Sequence, residues 1–316
     1  MNLILNAFAF KEDYGSSMQL NNRSDDAKLR TYMKNMVVSL VSCKLKNPDD
    51  TVCLATTSEP ASPYKEMLEK AGVVIRIIPF DKFLMPKDFP WSLAFYKLCV
   101  LDTLIKEGGF DNLLLMDTDT ITMDSFEDLW QEAAHGLMLY PVNHTYSHKD
   151  RMIIKEAYNS LYPEGKDNMV HYGGEFICGN REALSQLMEY CSSIYEDVKK
   201  SEFNIPKNSG DEVILSMAAA LYVKKAPVIT AGAYIFRYWT ENGFYLVATN
   251  TVSNPVCVWH MPAEKDTGVI LLYNYYCKHG VFPEREKAAS MLGIVSAKRP
   301  FGLYHIMARF NRKFNK

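Results

Sequence analysis

The sequence has no Cys-x-x-Cys pair and no zinc-type ligand spacing, although it holds seven cysteines. They are scattered, at 43, 53, 99, 178, 191, 257 and 277. Most sit in apolar runs such as Leu98-Cys99-Val100, where cysteine acts as a small buried hydrophobe. An odd, unpatterned set argues against a disulfide framework and for a reducing compartment. Charge of one sign is missing too. A formal net charge of -2 exerts no global pull on nucleic acid or an anionic membrane, so nucleic acid is not an expected partner.

Other absences narrow the chemistry. No apolar run approaches membrane-spanning length. The first ten residues lack a basic region and a long apolar core, so they read as a strand rather than a signal peptide, and a cytoplasmic location is expected. There is no G-x-G-x-x-G, no P-loop lysine motif and no nucleophile elbow around a serine. His144 and His148 have helical spacing, but no Glu follows His144, and they read as loop residues.

What is present is a chain of 316 residues, 48% hydrophobic, long enough to bury a large core. A strand over 3–10 is followed by a polar stretch, 11–30, that reads as a long loop. Apolar residues at helical spacing over 32–45 predict a helix. Strand, helix and strand then alternate at 51–56, 63–71 and 73–78, which argues for a mostly parallel sheet with covering helices. A helix over 95–106 stops at Gly108-Gly109. The strand 112–116 is apolar on both faces and therefore central. Further on, helices are predicted at 153–162, 182–199 and 211–222, with a short strand at 176–178 and a late one at 256–259. Residues 1–297 are expected to form one α/β domain. From Lys298, nineteen residues carry basic and aromatic side chains and no acid. That is the form of a membrane-surface element, and equally of an ordinary terminal helix with a frayed basic end.

The sharpest motif is Leu113-Leu114-Leu115-Met116-Asp117-Thr118-Asp119. Strand alternation puts Asp117 and Asp119 on one side, where two carboxylates offer a hard-oxygen site for Mn²⁺ or Mg²⁺. Ligands in α/β sheets bind beyond the carboxyl ends of strands. Aspartates also follow strands as plain turn formers. Val258-Trp259-His260 ends a late strand, with Lys265 five residues on. His260 reads either as a third metal ligand or as a core histidine. Gly210-Asp211-Glu212 opens a helix, where acids favour the dipole or, functionally, face a sugar centre of developing positive charge. Lys97, mid-helix, is either a solvent-facing lysine or a phosphate contact.

Together these elements resemble the glycogenin-like retaining glycosyltransferases, a family with the GT-A fold that includes bacterial lipooligosaccharide galactosyltransferases. The resemblance spans about residues 1–265 and implies an apolar strand leading into a metal-binding Asp-x-Asp, here Asp117 and Asp119, completed by His260. It implies donor contacts from Phe8 at the end of the first strand, Tyr32 near the nucleobase, Lys97, Thr118 and Lys265. It implies that Asp211 or Glu212 faces the transferred sugar, in a segment like the family's Gly-Asp-Gln-x-x-Leu. Tyr172-Gly173-Gly174-Glu175 only faintly echoes the family's Asn-Ser-Gly strand entry. The expected activity is Mn²⁺- or Mg²⁺-dependent transfer from a nucleotide sugar, UDP-linked by resemblance, to a glycan, lipid-linked or protein acceptor. Segments around 140–175 and 225–255 would build the acceptor side. The rival readings are an inverting transferase on the same fold, a sugar nucleotidyltransferase, and a catalytically silent carbohydrate- or nucleotide-binding protein.

Overall fold

β1 (Asn2–Phe8) is the strand about which the sheet assembles, because its neighbours on both sides are parallel to it. In this computed structural model, residues 1–10, 24–143, 149–163, 169–206, 210–238, 245–247 and 256–296 are described. The expected features at His144, His148 and the segment from Lys298 lie outside them.

β2 (Thr51–Thr56) and β4 (Asn112–Met116) flank β1, and β3 (Val74–Ile77) adds to β2 at one edge. Beyond β4 come β7 (His171–Asn180), β6 (Leu137–Asn143) and β8 (Ile229–Thr230), giving the order β3-β2-β1-β4-β7-β6-β8. β7 is antiparallel to both β4 and β6, and β6 pairs in parallel with β8. The fold is therefore α/β, with a mostly parallel seven-stranded sheet in which β7 alone is reversed. Two smaller sheets accompany it: β5 (Thr120–Thr122), β11 (Val258–His260) and β9 (Ile235–Arg237) form one, β10 (Tyr245–Val247) and β12 (Ile294–Ser296) the other.

Strand alternation divides the core into two layers. Leu113 and Leu115 of β4 pack on one face with α3 (Tyr96–Glu107), α6 (Arg181–Lys200) and α7 (Glu212–Tyr222). Leu114 and Met116 pack on the other with α1 (Asp25–Lys46) and α8 (Gly268–His279). Helices on both faces explain why β4 is an unbroken apolar run. The remaining helices α2 (Tyr64–Lys70), α4 (Glu127–Ala133), α5 (Lys149–Leu161) and α9 (Arg285–Met291) complete the layers. No helix among the described residues is long and apolar enough to cross a membrane.

Three expectations need correction. The polar stretch does not run as a loop to Arg30, because α1 begins at Asp25. Ser24 caps it by accepting the Ala27 N–H, and Asp25 and Asp26 sit in the positive first turn, a start signal masked by the polarity of that exposed turn. The three-residue strand at 176–178 is a ten-residue strand, β7, whose Gly173 and Gly174 allow close approach rather than mark a loop. Finally, β4 ends at Met116, so Asp117 and Asp119 are brought together by a tight turn into β5 and not by the pleat of a strand. The Thr120 hydroxyl donates to the Asp117 carbonyl within that turn.

Candidate metal centre

The turn after β4 is held from below. Asn6, buried in β1, donates from its amide to the carbonyls of Met116 and Asp117, at 2.8 and 3.3 Å. The backbone N–H of Asp117 donates to the carbonyl of Glu175 in β7. Because β7 is reversed, its first residues lie at the same edge of the sheet as the carboxyl end of β4. β11 brings His260 to this edge, since His260 stands opposite Thr120 in the small sheet and Met261 N–H donates to the Asp119 carbonyl.

The result is a compact donor set. Asp117, Asp119 and His260 each offer one ligand atom, all within 4.8 Å of one another. His260 Nε2 lies 3.3 Å from Asp119 Oδ2 and 3.8 Å from Asp117 Oδ2. Asp119 is only 1% exposed, yet its Oδ1 has no hydrogen-bond partner, while its Oδ2 and the two ring nitrogens of His260 meet charged neighbours at 3.1–3.4 Å without a well-formed hydrogen bond. Buried polar atoms of this kind are costly unless something ligates them. Two carboxylates and an imidazole are a fitting set for a divalent ion. These residues could hold a metal.

Cations surround the set. Lys265 Nζ is 3.1 Å from Asp119 Oδ2. Lys97 is buried rather than facing solvent. Its ammonium bridges Asp117 at 2.9 Å and Asp211 at 3.1 Å, and donates to the Gly174 carbonyl. Asp211 therefore does not act as a side-chain cap for α7. Glu212 is more open, with its side chain 31% exposed and 3.6 Å from His171 Nε2. Phe8 and Tyr32 meet at one end of the cleft, ring centroids 5.4 Å apart, with Lys265 Nζ 5.8 Å from the Tyr32 ring centre. Thr118 also lines this cleft of about 750 Å³. That volume lies within the usual range for small-molecule sites. Every sequence-selected site residue is thus gathered around one opening.

Two residues that the sequence reading left without a role join them, Glu175 and Arg237. Arg237 donates from Nε and Nη2 to the two oxygens of Glu175, at 2.6 Å each. A lone acid set between two glycines and the apolar run Phe176-Ile177-Cys178 was the available signal, since a charge there must be buried. Of the segments expected to shape the acceptor side, Lys149, Asp150, His171, Gly174, Glu175 and Arg237 do border the cleft; residues 144–148, 164–168, 239–244 and 248–255 lie outside the described set.

The electrostatics follow from burial and proximity. Burial opposes a charged Asp119, but Lys265 and His260 outweigh it and hold its carboxyl well below the usual range. Glu175 behaves alike, with Arg237 and His260 overcoming its burial. Burial also opposes a charged His260, yet Asp119 and Glu175 raise it to about 9. Burial pushes Asp211 up to about 7 against the pull of Lys97, whose one ammonium serves two carboxylates. Four carboxyl groups, Asp117, Asp119, Glu175 and Asp211, face three permanent cations, Lys97, Lys265 and Arg237, so a proton on His260 or Asp211, or a further cation, offsets the excess. No protein-family model matches the chain, and no curated protein matches it.

Proposed function

We propose that the chain is a metal-dependent glycosyltransferase of GT-A type, moving a sugar from a nucleoside diphosphate sugar to an acceptor hydroxyl. The observation that carries this reading is the convergence of Asp117, Asp119 and His260 at the carboxyl edge of a mostly parallel sheet, with the buried Asp119 and His260 short of well-formed hydrogen bonds. Lys97 and Lys265 beside that set supply the positive charge a diphosphate requires, and the aromatic pair Phe8–Tyr32 offers a stacking wall for a nucleobase.

Mn²⁺ is the ion that two carboxylates and an imidazole favour over Mg²⁺, and when bound it would neutralise the diphosphate as a leaving group. Asp117, Asp119 and His260 would hold it. Lys97 and Lys265 orient the phosphates as the bond from the anomeric carbon to phosphate oxygen breaks and its electron pair departs with the diphosphate. The acceptor oxygen forms the new bond, and its proton passes to the released phosphate. Asp211 and Glu212 divide their labour: Asp211, enclosed and paired, positions Lys97, whereas Glu212 faces open cleft and stabilises charge at the anomeric carbon. The family resemblance implies retention of configuration.

The test is a thermal-shift screen of nucleotide sugars, each with and without Mn²⁺, on the wild type and Asp119→Asn. Asparagine is chosen because it keeps the shape of the side chain that lies between Lys265 and His260. A ligand at 100 times its dissociation constant stabilises by about 2.7 kcal/mol. One or two donors should raise the melting temperature only when Mn²⁺ is present, and Asp119→Asn should lose that response. Stabilisation indifferent to both metal and Asp119 would favour a silent binding protein.

A further inference from the structure

Glu175 is a buried carboxylate for which the donor set itself has no ligand position. It stands one residue before Phe176, the first residue of β7 paired with β4, and so lies directly beside the Asp117–Asp119 turn. Its backbone and its side chain reach different halves of the centre. The carbonyl accepts the Asp117 N–H at 3.2 Å. The carboxylate Oε1 faces His260 Nδ1 at 3.4 Å.

The carboxylate is not free to turn away. Arg237 grips both oxygens in the paired geometry that fixes a carboxylate plane. Arg237 is itself placed by register, opposite His260 across the β9–β11 pairing. Gly173 leaves the room: a Cβ there would lie 1.8 Å from Glu175 Oε2 and 2.7 Å from Arg237 Nη2. Desolvating such a pair costs several kcal/mol, so a merely apolar filling would stabilise the fold as well.

A ligating imidazole is oriented by what its other nitrogen meets. A carboxylate at Nδ1 favours N–H there and leaves the lone pair on Nε2. Nε2 is the nitrogen that points at Asp119 and Asp117.

Given a metal at this centre, as proposed above, we infer that Glu175, clamped by Arg237, is a positioning residue that sets His260 with Nε2 available to a divalent ion between Asp117 and Asp119. The same residue, through its carbonyl, ties that histidine to the turn bearing the two aspartates. It links the two halves of the donor set, which come from β4 and β11.

The experiment is a double-mutant cycle read as Mn²⁺ affinity, with free Mn²⁺ followed by electron paramagnetic resonance. The proteins are the wild type, Glu175→Gln, His260→Ala and the double variant, each checked by its melting temperature. Glu175→Gln should weaken Mn²⁺ binding about 10- to 100-fold. In the His260→Ala background the same change should weaken it no further. Losses that multiply instead would overturn the inference, since Glu175 would then act as a general negative charge or scaffold. Unchanged affinity in Glu175→Gln would overturn it equally. A wild type that binds no Mn²⁺ overturns the metal reading along with it, an outcome distinct from binding without coupling. If Glu175→Gln leaves Arg237 unpaired and unfolds, Glu175→Met with Arg237→Met removes both charges and enters the cycle in its place.

Discussion

At the scale of single residues, a metal at the proposed centre would compete with a proton for His260. Its pKa of about 9 in the metal-free protein stands above the ordinary 6.5, because Asp119 and Glu175 outweigh burial. The stability that this pairing adds is complete below about 6.5 and is lost as pH rises through about 9. A metal needs the neutral ring, so binding must release that proton. Mn²⁺ affinity should therefore climb with pH, approaching about tenfold per unit below pH 9, and calorimetry at three pH values checks this. A flat profile would mean that His260 is not a ligand. Glu212 supplies a second residue-scale expectation. Glu212→Gln should lower kcat by about 10²-fold or more while leaving Mn²⁺ affinity as it was, because its side chain faces the cleft and not the donor set. Equal loss in both would place Glu212 with the metal ligands instead.

At the scale of elements, β7 is the decisive strand. Its reversal brings Gly173, Gly174 and Glu175 beside the carboxyl end of β4. A Cβ on Gly174 would fall 2.1 Å from Asp211 Oδ2 and 2.8 Å from Lys97 Nζ, so Gly174→Ala should separate that ion pair. Transfer activity should drop sharply, and the melting temperature should fall as well, because separating a buried ion pair costs about 3–5 kcal/mol. Gly108 provides the contrast. It ends α3 at φ 73 and ψ -153, a conformation reserved almost wholly for glycine. Gly108→Ala should cost about 1–3 kcal/mol in urea unfolding and leave Mn²⁺ affinity untouched. If the two variants behaved alike, the close packing at Gly174 would be ordinary core packing. Part of the fold was legible: 112–116 was read to the residue, and β2, α2, β3, α3, α6 and α7 to within one position, whereas β6 and α8 carried no expectation and β7 was read as three residues of ten. The start of α1 was missed because Leu29 is the one large apolar residue from Asp25 to Arg30, too little for a helical period, although Ser24-Asp25-Asp26 is a start signal.

At the scale of the molecule, one sheet separates two cores, and β4 contributes to both. Leu115→Ala opens a cavity against the layer of α3, α6 and α7, and Leu114→Ala opens one against the layer of α1 and α8. Each should cost about 2–5 kcal/mol. Because the strand is shared, both should shift a single denaturation transition, followed by tryptophan fluorescence and far-ultraviolet circular dichroism together. Two separable transitions would mean that the layers melt independently.

The sequence by itself determined what periodicity and local chemistry can carry: alternating strands and helices and a central apolar strand, with Asp117, Asp119 and His260 as candidate ligands whose grouping only a family resemblance implied. It also contained Lys97, whose burial no spacing could show, because a lysine among apolar residues looks the same whether it points outward or inward. Tertiary structure alone decided the rest. His260 is 141 positions from Asp119, and only the pairing of β11 with β5 brings them to 3.3 Å. Glu175 and Arg237 meet across 62 positions. Which carboxylate holds Lys97 and which faces the cleft was left open between Asp211 and Glu212, because adjacent residues at a helix start differ only in direction. Direction is a property of the folded chain: local sequence sets which side chains can ionise or ligate, and the long-range register of strands sets what they meet.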